Sequence, residues 1–335
     1  MNVTKKWVGF PSSNNPKIWI DKSSSIACAL HLYHPYSKIG LFVKKSITAL
    51  PNSIMQYFFS AQPNTGKKDL LDRRADYINK ILQFPDLTIS FSTGTPGVHR
   101  KVTAQVSDSN NILCYVKIGG ESAKMLLDNE AHALEAIKKF DISSVEFPEI
   151  IDFSSNDTES YLFQSAPKQV GGQRNADIDS ADVNFLTALS ACGRQAISIA
   201  KLFSEHGYLV RLDCLKSSGN YRDLWLHAEE IIELQLGGRG VCCAYSHGDY
   251  APWNTLSLTN GDLYIFDWEY GREVAPVLID CMHRIFMPAR LVANKGAYQC
   301  IQLLISIWEK NVTSLFVNNL GISKDQATAY ILLYL

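Results

Sequence analysis

The chain has 335 residues, of which 46% are apolar and 19% are charged, a composition typical of a soluble globular protein that excludes an intrinsically disordered chain. Its 32 lysines and arginines nearly balance its 33 aspartates and glutamates, which gives a formal net charge of -1. We therefore expect no nucleic-acid partner. No stretch reaches the roughly 20 apolar residues that cross a bilayer, so we expect no transmembrane segment.

The eight cysteines include no CxxC pair and have no histidine nearby at zinc-ligand spacing. The first thirty residues lack the basic start, the apolar run and the small-residue cleavage site of a secretory signal. Both observations predict reduced, mostly buried thiols and a cytoplasmic location.

Charge is unevenly distributed along the chain. Residues 1–90 hold 12 lysines and arginines against 5 acidic residues, a local charge of +7, whereas residues 91–165 hold 6 against 11, or -5. The basic segment is either a solvated surface that offsets the acidic stretch or a contact for an anionic partner. We treat residues 1–85 as a basic N-terminal extension whose role this pattern leaves open.

The pattern of residues 86–165 predicts a small antiparallel sheet that carries one helix. The predicted strands are 87–91, 101–106, 112–118 and two shorter strands within 148–163. The helix covers about 122–140. Upstream, apolar residues at helical spacing predict a helix over 69–84, which ends before Pro85.

Residues 166–335 have a mainly helical pattern. Ser180 is a candidate N-cap for a helix through Phe203, and a second helix is predicted over 221–236. A strand near 241–245 follows. The whole chain is therefore predicted to be an α+β protein.

The segment that leaves this strand contains the most informative motif. Residues 247–254 read HGDYAPWN, and Asp267 follows Asn254 by thirteen residues. The interval of five residues lets the carboxylate of Asp249 face an acceptor hydroxyl while the amide oxygen of Asn254 turns towards a metal held on phosphates. An Asn-Gly turn at 260–261 predicts a hairpin that brings Asp267 back beside Asn254. Each residue alone has an ordinary structural explanation, but the combination indicates a functional site.

These residues resemble a known family. The run from His247 to Asn254, with Asp267-Trp268-Glu269, looks like the motif of the aminoglycoside phosphotransferase and choline kinase-like family. The resemblance implies that Asp249 is the catalytic base and that His247 supports the catalytic loop. It also implies that Asn254 and Asp267 are magnesium ligands.

The fold of that family is similar to that of protein kinases, and the match covers about residues 86–290. The resemblance implies a bilobal arrangement. Residues 86–165 would be a nucleotide-binding N-lobe with an antiparallel sheet and one key helix, and residues 166–335 would be a mainly helical catalytic and acceptor-binding C-lobe. Residues 1–85 fall outside the match.

A kinase-like site also needs a lysine on the third strand and a glutamate on the next helix. Lys117 lies in an otherwise apolar strand, where a charge is costly to bury unless it is paired. Glu130 falls on the same helical face as Leu127 and Leu134, so it is predicted to point inward. We predict that Lys117 and Glu130 form an ion pair. The alternative is a lysine at a strand end with an unrelated, partly buried acid.

The turn at residues 92–98 precedes Lys117 and reads STGTPGV, which departs from the GxGxxG of protein kinases. Its position ahead of Lys117 is the main reason to expect it over the phosphates; the alternative is a hairpin turn that binds no ligand. Backbone amides and hydroxyl groups would be the donors. The predicted nucleotide-binding residues of this turn are Ser92, Thr93, Gly94, Thr95 and Gly97. By analogy, residues 162–166 would be the linker between the lobes, so Gln164 and Ala166 are further predicted nucleotide contacts.

The path after Asp267 indicates the class of acceptor. Only residues 268–274 separate Asp267 from Ala275-Pro276, so the activation segment of protein kinases has no counterpart. We therefore predict an ATP-dependent, magnesium-requiring phosphotransferase that acts on a small-molecule hydroxyl.

Charge bears on the identity of that acceptor. Residues 270–335 contain 6 basic and 4 acidic residues, a local charge of +2, which disfavours a polycationic aminoglycoside. A sugar or another polyol is favoured, with an aminoglycoside or an amino alcohol left open. A nucleotide-binding pseudokinase scaffold and a protein kinase are the alternative functions.

Overall fold

The structure is a computed structural model and describes residues 7–11, 16–32, 38–48, 62–84, 86–94, 97, 99–108, 111–168, 170–174, 177–205 and 222–335. The chain divides into two compact units. The first unit comprises Met1–Ala131 and Pro148–Ala166, and the second comprises His132–Phe147 and Pro167–Leu335.

The described strands run in chain order. They are β1 Trp7–Phe10, β2 Ile18–Asp21, β3 Thr88–Ser92, β4 Lys101–Asp108, β5 Asn111–Gly119, β6 Val145–Glu146, β7 Ile150–Ser155, β8 Ser160–Ser165, β9 Val170–Gln173, β10 Gln195–Ile197, β11 Val241–Ser246, β12 Thr255–Leu258, β13 Leu263–Ile265 and β14 Arg272–Pro276.

The described α-helices follow the same order. They are α1 Ile26–Ala29, α2 Lys38–Thr48, α3 Thr65–Leu82, α4 Glu121–Ile137, α5 Ser180–Leu189, α6 Ile199–Glu205, α7 Arg222–Leu236, α8 Ile279–Met287, α9 Ala297–Ile305, α10 Asn311–Leu320 and α11 Ala327–Tyr334. None of these helices combines the length and the apolar character that a membrane crossing requires.

The first unit is built on a seven-stranded sheet with the order β1-β2-β3-β4-β5-β8-β7. Every neighbouring pair is antiparallel. The antiparallel sheet predicted from residues 86–165 is therefore confirmed. Two strands from the first 85 residues extend it, because Trp19 of β2 pairs with Phe91 of β3. The predicted α+β class is confirmed as well.

Helix α3 covers one face of this sheet. Leu71, Ala75 and Ile78 repeat at intervals of four and three, so they share one side of the helix. They form one buried cluster with Phe91 and Val116 of the sheet. Each fully buried leucine or isoleucine contributes about 1.5–3 kcal/mol. The helix predicted over 69–84 is confirmed and begins earlier, at Thr65, with Asn64 as its N-cap.

Helix α4 covers the opposite face at β5 and β8. Leu162 of β8 pairs with Lys117 of β5 and packs against Leu127 and Ala131 of α4. Gly119 permits the close start of this helix, because a Cβ there would lie 2.6 Å from the Cβ of Ala123. Lys117 therefore shares a sheet face with α4.

The second unit contains two small sheets, with the orders β10-β11-β14 and β6-β13-β12-β9, among its helices. One predicted helix is wrong here. The helix expected from Ser180 through Phe203 is interrupted after Leu189, and β10 pairs with β11 before α6 begins. In the turn that follows, Gly193 has a φ of 62°, a left-handed conformation that a continuous α-helix does not contain.

The N-cap of α5 is also one residue earlier than predicted. Asp179, and not Ser180, accepts the N–H groups of Ala181 and Asp182, and the Asp182 carboxylate accepts the N–H of Asp179 in return. This reciprocal capping box fixes the first turn of the helix.

Seven cysteines lie in the described part of the chain, and all are free thiols. Six of them are buried. Burial raises the pKa of the Cys243 and Cys281 thiols to about 12, so both stay protonated near neutral pH. The prediction that the cysteines are mostly buried is confirmed for these seven residues.

Candidate active site

The motif loop begins where β11 ends, in the middle of its three-stranded sheet. The carboxylate of Asp280, at the start of α8, accepts the backbone N–H of His247 over 2.8 Å and that of Gly248 over 2.9 Å. Gly248 has a φ of 79°, and a Cβ there would lie 2.1 Å from the carbonyl oxygen of Tyr270. The turn into Asp249 therefore depends on a glycine and on a buried carboxylate.

His247 holds this loop together from the inside. Its side chain is fully buried. Nε2 lies 3.0 Å from the carbonyl oxygen of Phe266, and Nδ1 accepts the N–H of Asp249 over 3.2 Å. A carbonyl oxygen only accepts, so the ring is neutral with its proton on Nε2. Burial lowers the pKa of His247, which favours the same neutral state.

Asp249 is held by two donors. Nε2 of His283 lies 2.7 Å from Oδ1, and Nδ2 of Asn254 donates to Oδ2 over 2.8 Å. The side chain of Asp249 remains 23% exposed. One partner on each carboxylate oxygen fixes the orientation of the carboxylate.

Asn254 and Asp267 lie at the two ends of a confirmed hairpin. Thr255 of β12 pairs with Ile265 of β13, and the N–H of Phe266 donates to the carbonyl oxygen of Asn254 over 3.1 Å. Asp267 follows with a φ of 70°, which turns the chain away from the strand. The hairpin therefore returns the chain to Asn254 just before Asp267, as predicted.

The orientation of the Asn254 amide follows from its partners. Nδ2 donates to both Oδ2 and the backbone oxygen of Asp249, at 2.8 and 2.9 Å. Both partners are acceptors, so the nitrogen must face Asp249 and the amide oxygen lies on the other branch of the side chain. That oxygen and the Asp267 carboxylate are the hard oxygen donors that Mg²⁺ prefers.

A buried polar network anchors the residue after Asp249. The hydroxyl of Tyr250 donates to Oδ1 of Asp182 over 2.6 Å. The carboxylate of Asp182 also forms ion pairs with Arg174 and Arg284, with N–O distances of 2.7 and 3.3 Å. Burial raises the pKa of Tyr250, and the nearby charge of Asp182 raises it further, so the phenol stays a donor. The local sequence gives no sign of this network, because its members come from distant segments.

His283 and Tyr334 are site residues that the motif does not contain. Oη of Tyr334 lies 3.3 Å from Nδ1 of His283, whose Nε2 contacts Asp249. Burial raises the pKa of Tyr334. One signal for His283 was available, because it follows Asp280 by three residues and so shares its helical face. Nothing local indicates Tyr334, which lies 51 residues further along the chain.

A cavity of about 270 Å³ opens beside this loop within the second unit. It reaches Gly248 and His283, the neighbours of Asp249. Tyr270, Phe286 and Tyr334 give it aromatic walls. Its described lining contains one cationic residue, Arg272, and no aspartate or glutamate.

In the first unit, Lys117 and Glu130 form the predicted ion pair. Nζ of Lys117 lies 2.5 Å from Oε1 of Glu130, and the two residues are 8% and 0% exposed. Nε2 of Gln164 donates to the same Oε1 over 3.0 Å. The inward direction predicted for Glu130 is confirmed.

Gln164 lies in a strand of the sheet and not in the linker predicted at residues 162–166. Strand β8 continues through Ser165, so residues 162–165 are strand and only Ala166 remains at the boundary of the unit. The Gln164 side chain is buried against Glu130. The prediction of a linker at residues 162–165 is wrong, because the apolar residues of this segment belong to a buried strand.

Residues of the turn before β4 make contacts that shape the turn itself. The hydroxyl oxygen of Ser92 accepts the N–H of Thr103 over 2.9 Å, and the carbonyl oxygen of Thr93 accepts Nε of Arg100 over 2.7 Å. Gly94 has a φ of 68°, and a Cβ there would lie 1.8 Å from the carbonyl oxygen of Lys101.

Gly97 and Thr95 are the other two residues of that turn that were predicted to bind the nucleotide. A Cβ on Gly97 would have no neighbour within 4 Å. Thr95 lies outside the described residues. The nucleotide contact of this turn stays a prediction.

No family model and no curated protein sequence matches the chain. Several solved structures resemble it. A putative fructosamine-3-kinase from Haemophilus somnus 129PT is 14% identical, with a TM-score of 0.42 over 71% of this chain and 88% of that one. Aminoglycoside phosphotransferase APH(4)-Ia is 12% identical, with a TM-score of 0.48 over 78% and 87%.

A third similar structure is the GDP complex of a mutant of the aminoglycoside 2'-phosphotransferase-IIIa. It is 14% identical, with a TM-score of 0.44 over 77% of this chain and 89% of that one. Two of these three structures are aminoglycoside phosphotransferases, and the third is a putative fructosamine-3-kinase.

Proposed function

We propose that the chain is a magnesium-dependent phosphotransferase that moves the γ-phosphoryl group of ATP to a hydroxyl of a small molecule. The observation that carries this proposal is the loop geometry around Asp249. A carboxylate fixed by two donors lies next to a cavity, and the oxygen ligands Asn254 and Asp267 flank the hairpin that follows it. Positioning and charge stabilisation of this kind are what phosphoryl transfer requires.

Asp249 is the proposed general base. It accepts the proton of the acceptor hydroxyl as that oxygen bonds to the γ-phosphorus, while the bond from phosphorus to the bridging oxygen of ADP breaks. The products are a phosphate monoester, ADP and one proton. His247 takes no part in proton transfer, because both of its ring nitrogens are engaged with the backbone.

Asn254 and Asp267 are the proposed magnesium ligands. The amide of Asn254 supports this assignment, since its nitrogen is directed at Asp249 and its oxygen therefore lies on the other side. When bound, the ion neutralises charge on the phosphate oxygens.

Lys117 is the proposed phosphate ligand in the first unit, with Glu130 holding it in place. The pair is buried, and Gln164 adds a second donor to the same glutamate oxygen. A lysine fixed in this way presents its charge at a defined position. The backbone and hydroxyl groups of residues 92–94 and 97, and Ala166, remain proposed nucleotide contacts.

We assign the cavity in the second unit to the acceptor and favour a sugar or another polyol. Its volume of about 270 Å³ lies just below the roughly 300–1,000 Å³ of most small-molecule sites, which suits a compact acceptor. Aromatic walls pack well against the C–H faces of a sugar ring. One arginine and no acidic residue in the described lining disfavour a polycationic aminoglycoside.

The experiment is a transfer screen with labelled ATP and magnesium. The acceptor classes are hexoses, sugar acids, linear and cyclic polyols, amino alcohols, nucleosides, aminoglycosides and a mixed peptide pool. The Asp249→Asn protein serves as the blank, and Asp262→Asn on the hairpin serves as a matched control. We expect a labelled phosphate monoester from a polyhydroxy compound with the wild-type and control proteins only.

Two outcomes of the screen would contradict the proposal. Binding of ATP with no transfer to any acceptor would favour a scaffold, the pseudokinase alternative. Label found only in the peptide pool would favour a protein kinase.

A further inference from the structure

On the basis of the phosphotransfer function proposed above, we propose that His283 is a positioning residue that holds the carboxylate of Asp249 in its reactive orientation, and that Tyr334 holds the His283 ring. These three side chains form one hydrogen-bonded chain from α11 through α8 to the motif loop. Neither His283 nor Tyr334 belongs to the motif.

The carboxylate of Asp249 is held from two sides by different elements. Nε2 of His283 on α8 lies 2.7 Å from Oδ1, and Nδ2 of Asn254 in the loop lies 2.8 Å from Oδ2. Rotation about the Cβ–Cγ bond of Asp249 would break both hydrogen bonds. Two donors on separate oxygens therefore fix the plane of the carboxylate, whereas Asn254 alone would let it swing.

The His283 ring is itself fixed. A carboxylate oxygen only accepts, so Nε2 carries the proton directed at Asp249. In the neutral ring, the Tyr334 hydroxyl donates to Nδ1 over 3.3 Å. The two rings also meet edge-on, with centroids 6.0 Å apart and an interplanar angle of 79°. A partner on the far nitrogen sets the tautomer and the direction of a histidine ring.

His283 also borders the cavity assigned to the acceptor. Its side chain is only 15% exposed, so solvent does not compete freely for the hydrogen bond to Asp249. A base displaced by about 1 Å can lose about 100-fold in rate. Loss of the His283 donor is therefore expected to act on the chemical step more than on the binding of either substrate.

The test compares two replacements of similar bulk. His283→Gln keeps an N–H donor near the position of Nε2, whereas His283→Leu has none. We measure initial rates with magnesium, ATP and a panel of D-glucose, D-mannose, ribitol and myo-inositol. The leucine variant should lose about 100-fold in kcat with little change in acceptor KM, and the glutamine variant should recover about tenfold of that loss.

Two further variants complete the set. Tyr334→Phe should lower kcat less than His283→Leu does, because it loosens the ring without removing the donor. His227→Ala replaces an exposed histidine on α7 and should match the wild type. Equal kcat for the glutamine and leucine variants, with equal thermal unfolding and ADP binding, would overturn the positioning role. So would a loss confined to KM.

Ring ¹⁵N NMR of the full chain labelled at histidine gives a readout that does not need turnover. We expect the Nε2–H resonance of His283 to shift in Asp249→Asn and the Nδ1 resonance to shift in Tyr334→Phe. Unchanged resonances would overturn this inference. Wild-type protein that transfers phosphate to no acceptor would instead overturn the proposed function, so the two failures are distinguishable.

Discussion

Nζ of Lys117 lies 2.5 Å from Oε1 of Glu130, and neither side chain is more than 10% exposed. The strand and the helix that carry them are adjacent in the chain, and Gly119 lets the helix start close to the strand. Burial of the lysine charge is costly, and the glutamate buried with it offsets part of that cost. The pair is therefore sensitive to the loss of either member.

We expect Lys117→Met and Glu130→Gln each to lower the free energy of unfolding by about 3–5 kcal/mol, because each breaks a buried ion pair by removing one of its two charges. The double variant should lose much less than the sum of the two. Chemical denaturation checks this, and ADP binding should weaken in Lys117→Met. The exposed Lys124→Met on α4 is the control. Additive losses in the double variant would contradict direct coupling.

Gly248 and Gly261 give a matched pair of substitutions. Both have positive φ, at 79° and 91°, but a Cβ on Gly248 meets the Tyr270 carbonyl oxygen at 2.1 Å whereas a Cβ on Gly261 has no neighbour within 4 Å. Gly261→Ala should cost about 1–2 kcal/mol from backbone conformation alone. Gly248→Ala should cost about 1–3 kcal/mol more and should reduce kcat, because the loop must shift.

Denaturant unfolding of both alanine variants measures this difference. Equal costs would mean that the close approach of the Tyr270 backbone does not constrain the loop.

Tyr250→Phe removes one donor from the buried carboxylate of Asp182. We expect a loss of about 1–3 kcal/mol in the free energy of unfolding, because the oxygen that accepted the phenol is left with weaker partners. The kcat should fall as well, since Tyr250 directly follows Asp249. Tyr298→Phe, at a residue that is 75% exposed, should change stability by about 0.5 kcal/mol at most. An unchanged free energy of unfolding in Tyr250→Phe would show that the two arginines alone satisfy the hydrogen-bonding needs of the Asp182 carboxylate.

The burial of His247 should make the free energy of unfolding depend on pH in a defined way. Burial lowers its pKa in the folded protein, so the folded ring stays neutral at a pH where the unfolded ring, with a pKa of about 6.5, becomes protonated. The unfolded state then binds the extra proton. Stability is therefore lost as the pH falls below about 6.5, by up to about 1.4 kcal/mol per pH unit.

The comparison is with His247→Gln, which keeps every other histidine. The difference in free energy of unfolding between wild type and variant should shrink as the pH falls from 7 to 5. A constant difference would mean that His247 is not held in the neutral form.

Features set by local pattern were predictable from the sequence. The helix over 69–84, the strand bearing Lys117 and the Asn-Gly hairpin follow from apolar periodicity and turn chemistry within a few residues. The pairing of Lys117 with Glu130 was also accessible, because two buried opposite charges on adjacent elements need one another.

Features set by distant contacts were not predictable. The break after Leu189 depends on pairing between β10 and β11, which lie far apart in sequence. The contact of Tyr334 with His283 depends on where α11 packs. Two strands from residues 1–85 join the sheet for the same reason, since strand register is a property of the assembled sheet.

The base role of Asp249 is the central claim, and one measurement tests it most directly. Formation of ADP and phosphate monoester is followed by ³¹P NMR with magnesium, ATP and the polyol panel, for the wild type and Asp249→Asn. We expect equal amounts of the two products from the wild type, and a loss of at least about 100-fold in kcat for the variant with ADP binding retained. Undiminished turnover by Asp249→Asn would contradict the account.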